Sequence, residues 1–334
     1  MIRDMFSPGE LREKLSGRVV DALMAFRSSL RPASEQKAIY LHIGAHKTGT
    51  TAIQSMLRAE FRRLRWFSFY YDRRFYRLGK VLARRSPLPH REREELRREV
   101  NGWLRARPEP NIIASSEALF GDLFASYSNI QDVAEDIKAI LEGHDVRIVA
   151  CIRRQDEFIQ SVYHQHTKRG GTLRFDAFLR THDVHAYRWN ELLARYVRVF
   201  GRDAISVLSY QDVFQTSTAV LERLFPPLAA RGFRSIARPA VRNPSLSLKG
   251  IEIAIRCNDV LNAQEQRTLR RFLQKTFDQR RGDKHTLFSD EQRRELLDFY
   301  ASSNQQCIDE FCMGPTAASY LLGTGLRVTS GLQA

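Results

Sequence analysis

Residues 39–54 read I-Y-L-H-I-G-A-H-K-T-G-T-T-A-I-Q. The apolar run Ile39–Ile43 predicts a buried parallel strand, and Gly44 and Gly49 predict a loop between that strand and a helix that begins near Thr50. Such a loop can direct successive backbone N–H groups at an anion, and the partial positive charge of the helix N-terminus favours the same ligand. The stretch therefore predicts an anion-binding loop at the carboxyl end of the first core strand.

The glycines in this loop have the spacing of a P-loop, but the lysine is displaced. The P-loop pattern G-x-x-x-x-G-K-[ST] places its lysine directly after the second glycine, where it reaches the β- and γ-phosphates of a nucleotide. In this chain Thr50 stands at that position, and the lysine comes three residues earlier, at Lys47. The departure disfavours a nucleotide kinase, although a P-loop kinase or another NTPase stays open as the alternative enzyme class.

A second block of the chain also suits an anion. The run Arg147–Ile152 predicts another buried strand, and R-R-Q-D-E-F-I-Q-S-V-Y-H-Q follows it from Arg153 onward. We expect Arg153 to end this strand and a helix to run through Ser161. The planar guanidinium of an arginine can donate two charge-assisted hydrogen bonds to one phosphate.

Both blocks resemble the sulfotransferases, which transfer a sulfuryl group from 3′-phosphoadenosine 5′-phosphosulfate (PAPS). The segment H-K-T-G-T-T resembles the 5′-phosphosulfate loop of this family, in the form found in a bacterial, carbohydrate-directed branch. The resemblance implies that Lys47 neutralises the bridging oxygen as it departs. It also implies that N–H and hydroxyl groups of four loop residues bind the 5′-phosphate, namely Thr48, Gly49, Thr50 and Thr51.

The resemblance extends to the 3′-phosphate of PAPS. In the family an arginine and a serine hold this group, and the sequence around Arg153 and Ser161 looks very like that motif. A later basic and glycine-containing loop also touches the 3′-phosphate, and Arg242–Gly250 (R-N-P-S-L-S-L-K-G) matches it loosely. We carry Arg242 and Ser245 as further ligands, with helix capping as their alternative role.

Transfer to a hydroxyl also needs a base. In the family this residue is a histidine or a glutamate, and Glu117, at the end of Asn111–Ser116, occupies the equivalent end of a strand. An ordinary glutamate has a pKa of about 4.3, so partial burial would have to raise it. Helix capping and pairing with an arginine remain open for Glu117. The rivals are histidines, first His46 in the loop, then His42, His164 and His166, each with a structural role as the alternative.

Strands alternate with helices along the chain. Apolar runs predict strands at residues 39–43, 111–116, 146–152 and 204–208. Helical periodicity predicts helices at residues 51–64, 91–107, 185–200, 246–261, 264–277 and 289–311. The alternation is typical of an α/β fold with a P-loop-like, doubly wound parallel sheet flanked by helices and, here, a helical C-terminal part. Ligands of such folds bind at the carboxyl ends of the strands.

Length and charge limit the partners of the chain. The chain has 334 residues, of which 43% are hydrophobic, and this is enough to build a large core. We expect one domain over residues 37–334, preceded by an extension over residues 1–36. The formal charge of +15 favours polyanionic partners. Residues 58–98 hold thirteen arginines and one lysine against five acidic residues, so this segment is either solvated helix surface or a lip for an acidic acceptor.

The resemblance implies PAPS and its product PAP as ligands, no metal ion, and a glycan or a lipid-linked molecule as the acceptor. No recognition module or aromatic stacking pattern indicates nucleic acid, although a non-catalytic polyanion-binding protein stays an alternative. The four cysteines lack zinc-type spacing, and neither a run of about 18 apolar residues nor a signal peptide is recognised. We expect a cytoplasmic protein, with peripheral membrane contact through residues 9–30 as an alternative. The oligomeric state is not predicted.

Overall fold

Five parallel strands form one sheet in the computed structural model, which describes residues 36–214, 220–237, 246–277 and 287–324. The strands are β1 (Ala38–Gly44), β2 (Phe69–Asp72), β3 (Asn111–Ser115), β4 (Asp145–Ile152) and β5 (Ile205–Ser209). They lie in the order β2-β3-β1-β4-β5, and every neighbouring pair is parallel. The predicted α/β fold with a parallel sheet is confirmed, and β1 lies at its centre.

Fifteen α-helices lie in the described part of the chain. Those before residue 246 are α1 (Thr50–Ala59), α2 (Phe61–Trp66), α3 (Phe75–Arg85), α4 (His90–Arg105), α5 (Ile130–Ile140), α6 (Gln155–Lys168), α7 (Phe175–Thr181), α8 (Trp189–Phe200), α9 (Tyr210–Phe214), α10 (Val220–Leu224) and α11 (Pro226–Ala230). The predicted helical C-terminal part is confirmed as α12 (Leu248–Asn258), α13 (Ala263–Thr276), α14 (Asp290–Glu310) and α15 (Pro315–Leu322). Short 3-10 segments occupy Glu117–Phe120, Leu123–Ala125 and Arg202–Ala204.

Helices cover both faces of the sheet. Leu41 and Ile148 belong to the buried cluster on one face, whereas Ile113 and Val149 belong to the cluster on the other face, together with Leu57 of α1. Successive side chains of a strand point to opposite faces, so a strand buried on both faces reads as a continuous apolar run. The strand ends are then the positions left for polar chemistry.

The edge strand β2 is the element that the sequence analysis missed. It has only four residues and lies between arginine-rich stretches, so neither alternation nor a long apolar run marks it. Its signal was the aromatic run Phe69–Tyr71, because aromatic residues favour strands. The other four strands lie within one residue of their predicted ends.

The first helix is shorter than predicted. α1 ends at Ala59, and after Glu60 the chain continues as α2. The buried carboxylate of Glu60 accepts hydrogen bonds from the backbone N–H groups of Ile236 (2.7 Å) and Ala237 (2.8 Å) and from Arg63 (2.6 Å). The break between α1 and α2 thus anchors a segment that lies far along the chain.

The C-terminal helices are tied to the helix that follows β4. Gln155 at the start of α6 and Asn304 of α14 exchange two amide hydrogen bonds, of 2.8 and 3.0 Å. The Tyr320 hydroxyl of α15 donates to Glu157 Oε2 of α6 at 2.9 Å. Both contacts lie near the start of α6, at the carboxyl edge of the sheet.

Several sequence predictions concern residues outside the described ranges. These are residues 1–35 of the expected extension, which include the basic helix at 9–30, and the ligands Arg242 and Ser245. Within the described ranges, no helix combines the length and apolar character needed to cross a bilayer. The four cysteines are free thiols, and Cys151 is buried in β4, as its apolar surroundings predict.

Candidate active site

The loop after β1 turns at two glycines. Gly44, the last residue of β1, has a φ of 99°, and Gly49, which precedes α1, has a φ of 87°. Both values lie in the left-handed region that favours glycine. A side chain at Gly44 would also meet the Cα of Glu117 at 3.2 Å. Glycine at this position therefore lets the loop pass directly against Glu117.

Hydrogen bonds attach the loop to β4. The Ala45 N–H donates to the Cys151 carbonyl at 2.7 Å, and Thr48 Oγ1 donates to the Ala45 carbonyl at 2.7 Å. The Thr48 hydroxyl is thus engaged inside the loop. Thr50 Oγ1 is buried without a hydrogen-bond partner among the described residues, and Thr51 is exposed. The hydroxyl of Thr50 therefore remains available at the N-terminus of α1.

Lys47 extends from the loop toward α6, where its Nζ donates to Gln165 Oε1 at 3.4 Å. Burial lowers the pKa of Lys47 to about 8, and the positive charges of Lys168 and Arg153 act in the same direction. The pKa of Lys168 is also lowered to about 8, first by burial and then by the charge of Arg270. Such lowered values mark a place where a bound anion would be favoured.

Arg153, directly after β4, joins the two sequence blocks. Its Nη1 donates to the Lys47 carbonyl at 3.2 Å. Its Nε pairs with Glu157 Oε2 at 3.1 Å, and its guanidinium lies 4.6 Å from the centre of the Tyr210 ring. The Trp189 indole N–H donates to the Arg153 carbonyl at 2.8 Å. The two segments that the sequence predicts as anion-binding therefore meet at the carboxyl edge of the sheet.

Ser161 lies between two of these contacts. Side chains four residues apart share one face of a helix, and Glu157, Ser161 and Gln165 of α6 have this spacing. Glu157 pairs with Arg153, and Gln165 accepts from Lys47. Ser161, which is partly buried, therefore lies on the same helix face as the residues that contact Arg153 and Lys47.

Glu117 is the first residue of the 3-10 segment that follows β3. Gln54 Nε2 of α1 lies 3.4 Å from Glu117 Oε2 and 3.3 Å from the Ser115 carbonyl. Burial dominates the pKa of Lys47, but the charge of Glu117 acts on it in the opposite direction, so the two groups are within electrostatic reach. Gln54 is a site residue that the sequence analysis missed. Its only signal was its place on the buried face of the helix after the loop.

His42 and His46 lie in environments that keep their rings neutral at pH 7. His42 is buried in β1, its Nδ1 lies 2.9 Å from Ser115 Oγ, and burial lowers its pKa to about 4. His46 Nδ1 lies 3.3 Å from the Tyr127 hydroxyl, and burial lowers the pKa of His46 to about 3. A group with such a low pKa is a weak base.

The other two histidines are packed within α6. His164 is buried, and the His166 ring lies 5.4 Å from the ring of Phe178. The backbone of Gly171 approaches the His166 ring so closely that a Cβ there would lie 2.2 Å from it. These surroundings agree with the structural role considered for both residues.

One aspartate was overlooked because β2 was missed. Strand β2, which the sequence analysis did not predict, ends in Asp72. This carboxylate is buried and accepts hydrogen bonds from the backbone N–H (2.9 Å) and Nε (3.0 Å) of Arg74. β2 is separated from β1 by β3, so Asp72 lies two strands away from the loop. Its carboxylate is already occupied by an arginine.

Comparison with known proteins leaves the family open. No protein-family profile matches the chain, and no curated protein matches it. Among solved structures, the crystal structure of a sulfotransferase from Alicyclobacillus acidocaldarius is similar, with 15% sequence identity and a TM-score of 0.48 over 84% of this chain and 98% of that chain. A likeness of this degree carries no argument about activity, which has to rest on the site itself.

Proposed function

We propose that this protein is a PAPS-dependent sulfotransferase, which moves a sulfuryl group to a hydroxyl or amine of an acceptor. The observation that carries the proposal is the hydrogen bond from Arg153 to the carbonyl of Lys47. It brings the segment that resembles a 5′-phosphosulfate loop against the segment that resembles a 3′-phosphate motif. One nucleotide with phosphates at both ends of its ribose would span the two.

The charge of the site supports a ligand with several negative charges. Burial is the main cause of the lowered pKa of Lys47, and the positive charges of Lys168, Arg153 and Arg169 lower it further. The carboxylate of Glu157 pairs with both Arg153 and Arg154, so it offsets only part of the positive charge near the loop. A nucleotide bearing a phosphosulfate and a 3′-phosphate would relieve this repulsion.

The proposed roles follow from the position of each group. Lys47 stabilises negative charge on the phosphate oxygen as its bond to sulfur breaks. Glu117 takes the proton from the acceptor oxygen as that oxygen forms its bond to sulfur, and Gln54 holds the carboxylate. Thr50 and the N-terminus of α1 bind the 5′-phosphate, whereas Arg153 and Ser161 bind the 3′-phosphate. Side chains and backbone N–H groups of the protein supply the positive charge that balances the donor phosphate, so no metal ion is assigned a role.

The acceptor and the location of the enzyme are part of the proposal. A glycan or a lipid-linked molecule is the acceptor that the sequence resemblance implies, and the free cysteines suit a cytoplasmic enzyme. The P-loop spacing of the glycines in this loop also permits an alternative function, that of a P-loop kinase, which would use ATP with magnesium.

Calorimetry with PAP in excess chelator tests the nucleotide assignment. We expect PAP to bind with the same affinity with and without chelator, and labelled PAPS to give a sulfated product from a panel of glycans and lipids. Loss of PAP binding on chelation, or tight magnesium-dependent binding of ATP, would replace the sulfotransferase assignment with that of a kinase.

A further inference from the structure

Eleven of the fourteen cations in the arginine-rich segment at residues 58–98 fall into two groups of side chains. Seven arginines of the segment form ion pairs with carboxylates in the described part of the chain, namely Arg63, Arg65, Arg74, Arg85, Arg91, Arg93 and Arg97. This part of the positive charge is neutralised within the fold. The segment as a whole is therefore not a diffuse basic surface.

Four exposed cations of the same segment lie on α3 or directly before it. Arg77, Lys80 and Arg84 are spaced by three and four residues, which is the spacing of one helix face, and Arg73 lies in the turn before the N-cap residue Arg74. We call these four residues the cationic stripe. None of them forms an ion pair with a described residue, and Lys80 Nζ instead lies 4.4 Å from the centre of the Tyr76 ring. The sequence of α3, F-Y-R-L-G-K-V-L-A-R-R, contains no acidic residue.

The opposite face of α3 packs against the segment that carries Glu117. A side chain at Gly79 would lie 2.4 Å from Ser116 Oγ, so the helix backbone approaches the residue before Glu117 directly. At the start of the stripe, Asp72 of β2 pairs with Ala114 of β3, so Arg73 leaves the sheet beside the end of β3, a few residues before Glu117. The stripe therefore begins beside the candidate active site.

We propose that the cationic stripe binds a polyanionic acceptor chain, such as an acidic polysaccharide, and leads one of its hydroxyls to Glu117. This inference rests on the proposed sulfotransferase function. From Arg77 to Arg84 the helical part of the stripe extends about 10 Å at the rise of an α-helix, and Arg73 lengthens the stripe, so that it has room for more than one charged sugar unit. A narrow line that starts at the active site suits a linear chain better than a flat bilayer, which would need a broad basic face.

Binding of an oligogalacturonate to three proteins tests the stripe. They are the wild type, the variant Arg77→Ala/Arg84→Ala, and the control Arg105→Ala/Arg198→Ala. The control also removes two exposed arginines, but they lie near the ends of α4 and α8, close to the starts of β3 and β5 and so at the opposite edge of the sheet. We expect the stripe variant to bind about fivefold to thirtyfold more weakly at low salt, and the control to bind like the wild type. A maltooligosaccharide of equal length, which is uncharged, should not bind.

Three outcomes would overturn the proposal. They are equal weakening in both double variants, no binding of oligogalacturonate to the wild type, and stripe-dependent binding of phosphatidylglycerol vesicles without binding of the oligosaccharide. PAP calorimetry on the same proteins separates this question from the proposed function. All three proteins should bind PAP alike, and a wild type that fails to bind PAP refutes the sulfotransferase assignment, whereas the oligogalacturonate comparison still decides whether the stripe binds polyanions.

Discussion

Arg153 Nη1 donates a hydrogen bond to the backbone carbonyl of Lys47, across 106 positions of sequence. The residue proposed to bind the 3′-phosphate thus also supports the loop proposed to bind the 5′-phosphate. Substitution of Arg153 should therefore affect both ends of the nucleotide, whereas substitution of Ser161, which lies one helix turn from Glu157 on α6, should affect only one end.

The 3′-phosphate assignment can be tested with ligand pairs. Ser161→Ala should weaken PAP by about 1 kcal/mol and leave adenosine 5′-monophosphate, which lacks the 3′-phosphate, unaffected. Arg153→Ala should weaken PAP by about 2–3 kcal/mol through the lost charged contact, with a smaller loss for the monophosphate. Calorimetry measures both ligands. Equal losses for the two nucleotides in the Ser161 variant would remove this serine from the 3′-phosphate site.

Lys47→Ala should lower turnover far more than PAP affinity. The negative charge that Lys47 stabilises grows as the sulfur–oxygen bond breaks, and removal of one such donor typically costs about 10²–10³ in rate. Gln165→Ala is the matched control, because it removes the partner of the Lys47 ammonium and keeps the charge. Single-turnover kinetics with labelled PAPS gives the rates. An unchanged rate in Lys47→Ala would exclude this residue from the chemistry.

The pH dependence of PAP binding follows from the lysine pKa values near 8. Burial lowers the pKa of Lys47 and of Lys168 in the free protein to about 8, and a bound anion stabilises their charged forms. Affinity should therefore decline as the pH rises through about 8, and binding at pH 9 should take up protons. Calorimetry in buffers of different ionisation enthalpy measures this uptake. In Lys47→Met the uptake should be smaller, and a proton release in the wild type would contradict the assignment.

Glu117→Gln should keep the fold and PAP binding but abolish most transfer, because the amide cannot accept the proton. Gln54→Ala, which frees the Glu117 carboxylate from its partner, should reduce turnover less severely. His46→Asn should retain substantial activity, since burial lowers the pKa of His46 to about 3. An active Glu117→Gln protein beside an inactive His46→Asn protein would reverse the assignment of the base.

The buried His42 should make the protein sensitive to acid. Its pKa of about 4 lies below the ordinary value of 6.5, so the unfolded chain binds the proton first and stability falls as the pH drops from 6.5 toward 4. For His42 alone the loss between pH 7 and pH 5 is about 2 kcal/mol. Urea unfolding at both pH values should show a smaller loss in His42→Gln. His185→Gln, a change at an exposed position, should behave like the wild type.

The sequence alone was enough to predict the elements whose physical signal lies in a short stretch of neighbouring residues. Apolar runs marked four strands because a sheet buried on both faces leaves them few polar positions, and the glycines marked the loop. Contacts between distant segments left no such signal. The position of Asp72 at a strand end was missed because the short strand β2 was not predicted. Gln54 has the sequence features of an ordinary helix residue, and only its contact with Glu117 in the fold identifies it as a site residue. Likewise, the break at Glu60 depends on the distant N–H groups of Ile236 and Ala237.

The hydrogen bond from Tyr320 to Glu157 also ties the C-terminal helix α15 to the proposed nucleotide site. Glu157 Oε2 accepts hydrogen bonds from both Arg153 and Tyr320, so a docked α15 helps to hold the arginine in its proposed binding position. By mass action, a ligand that favours this arrangement disfavours detachment of α15. Limited proteolysis should then cut the chain near residue 322 more slowly when PAP is present, and Tyr320→Phe should weaken that protection.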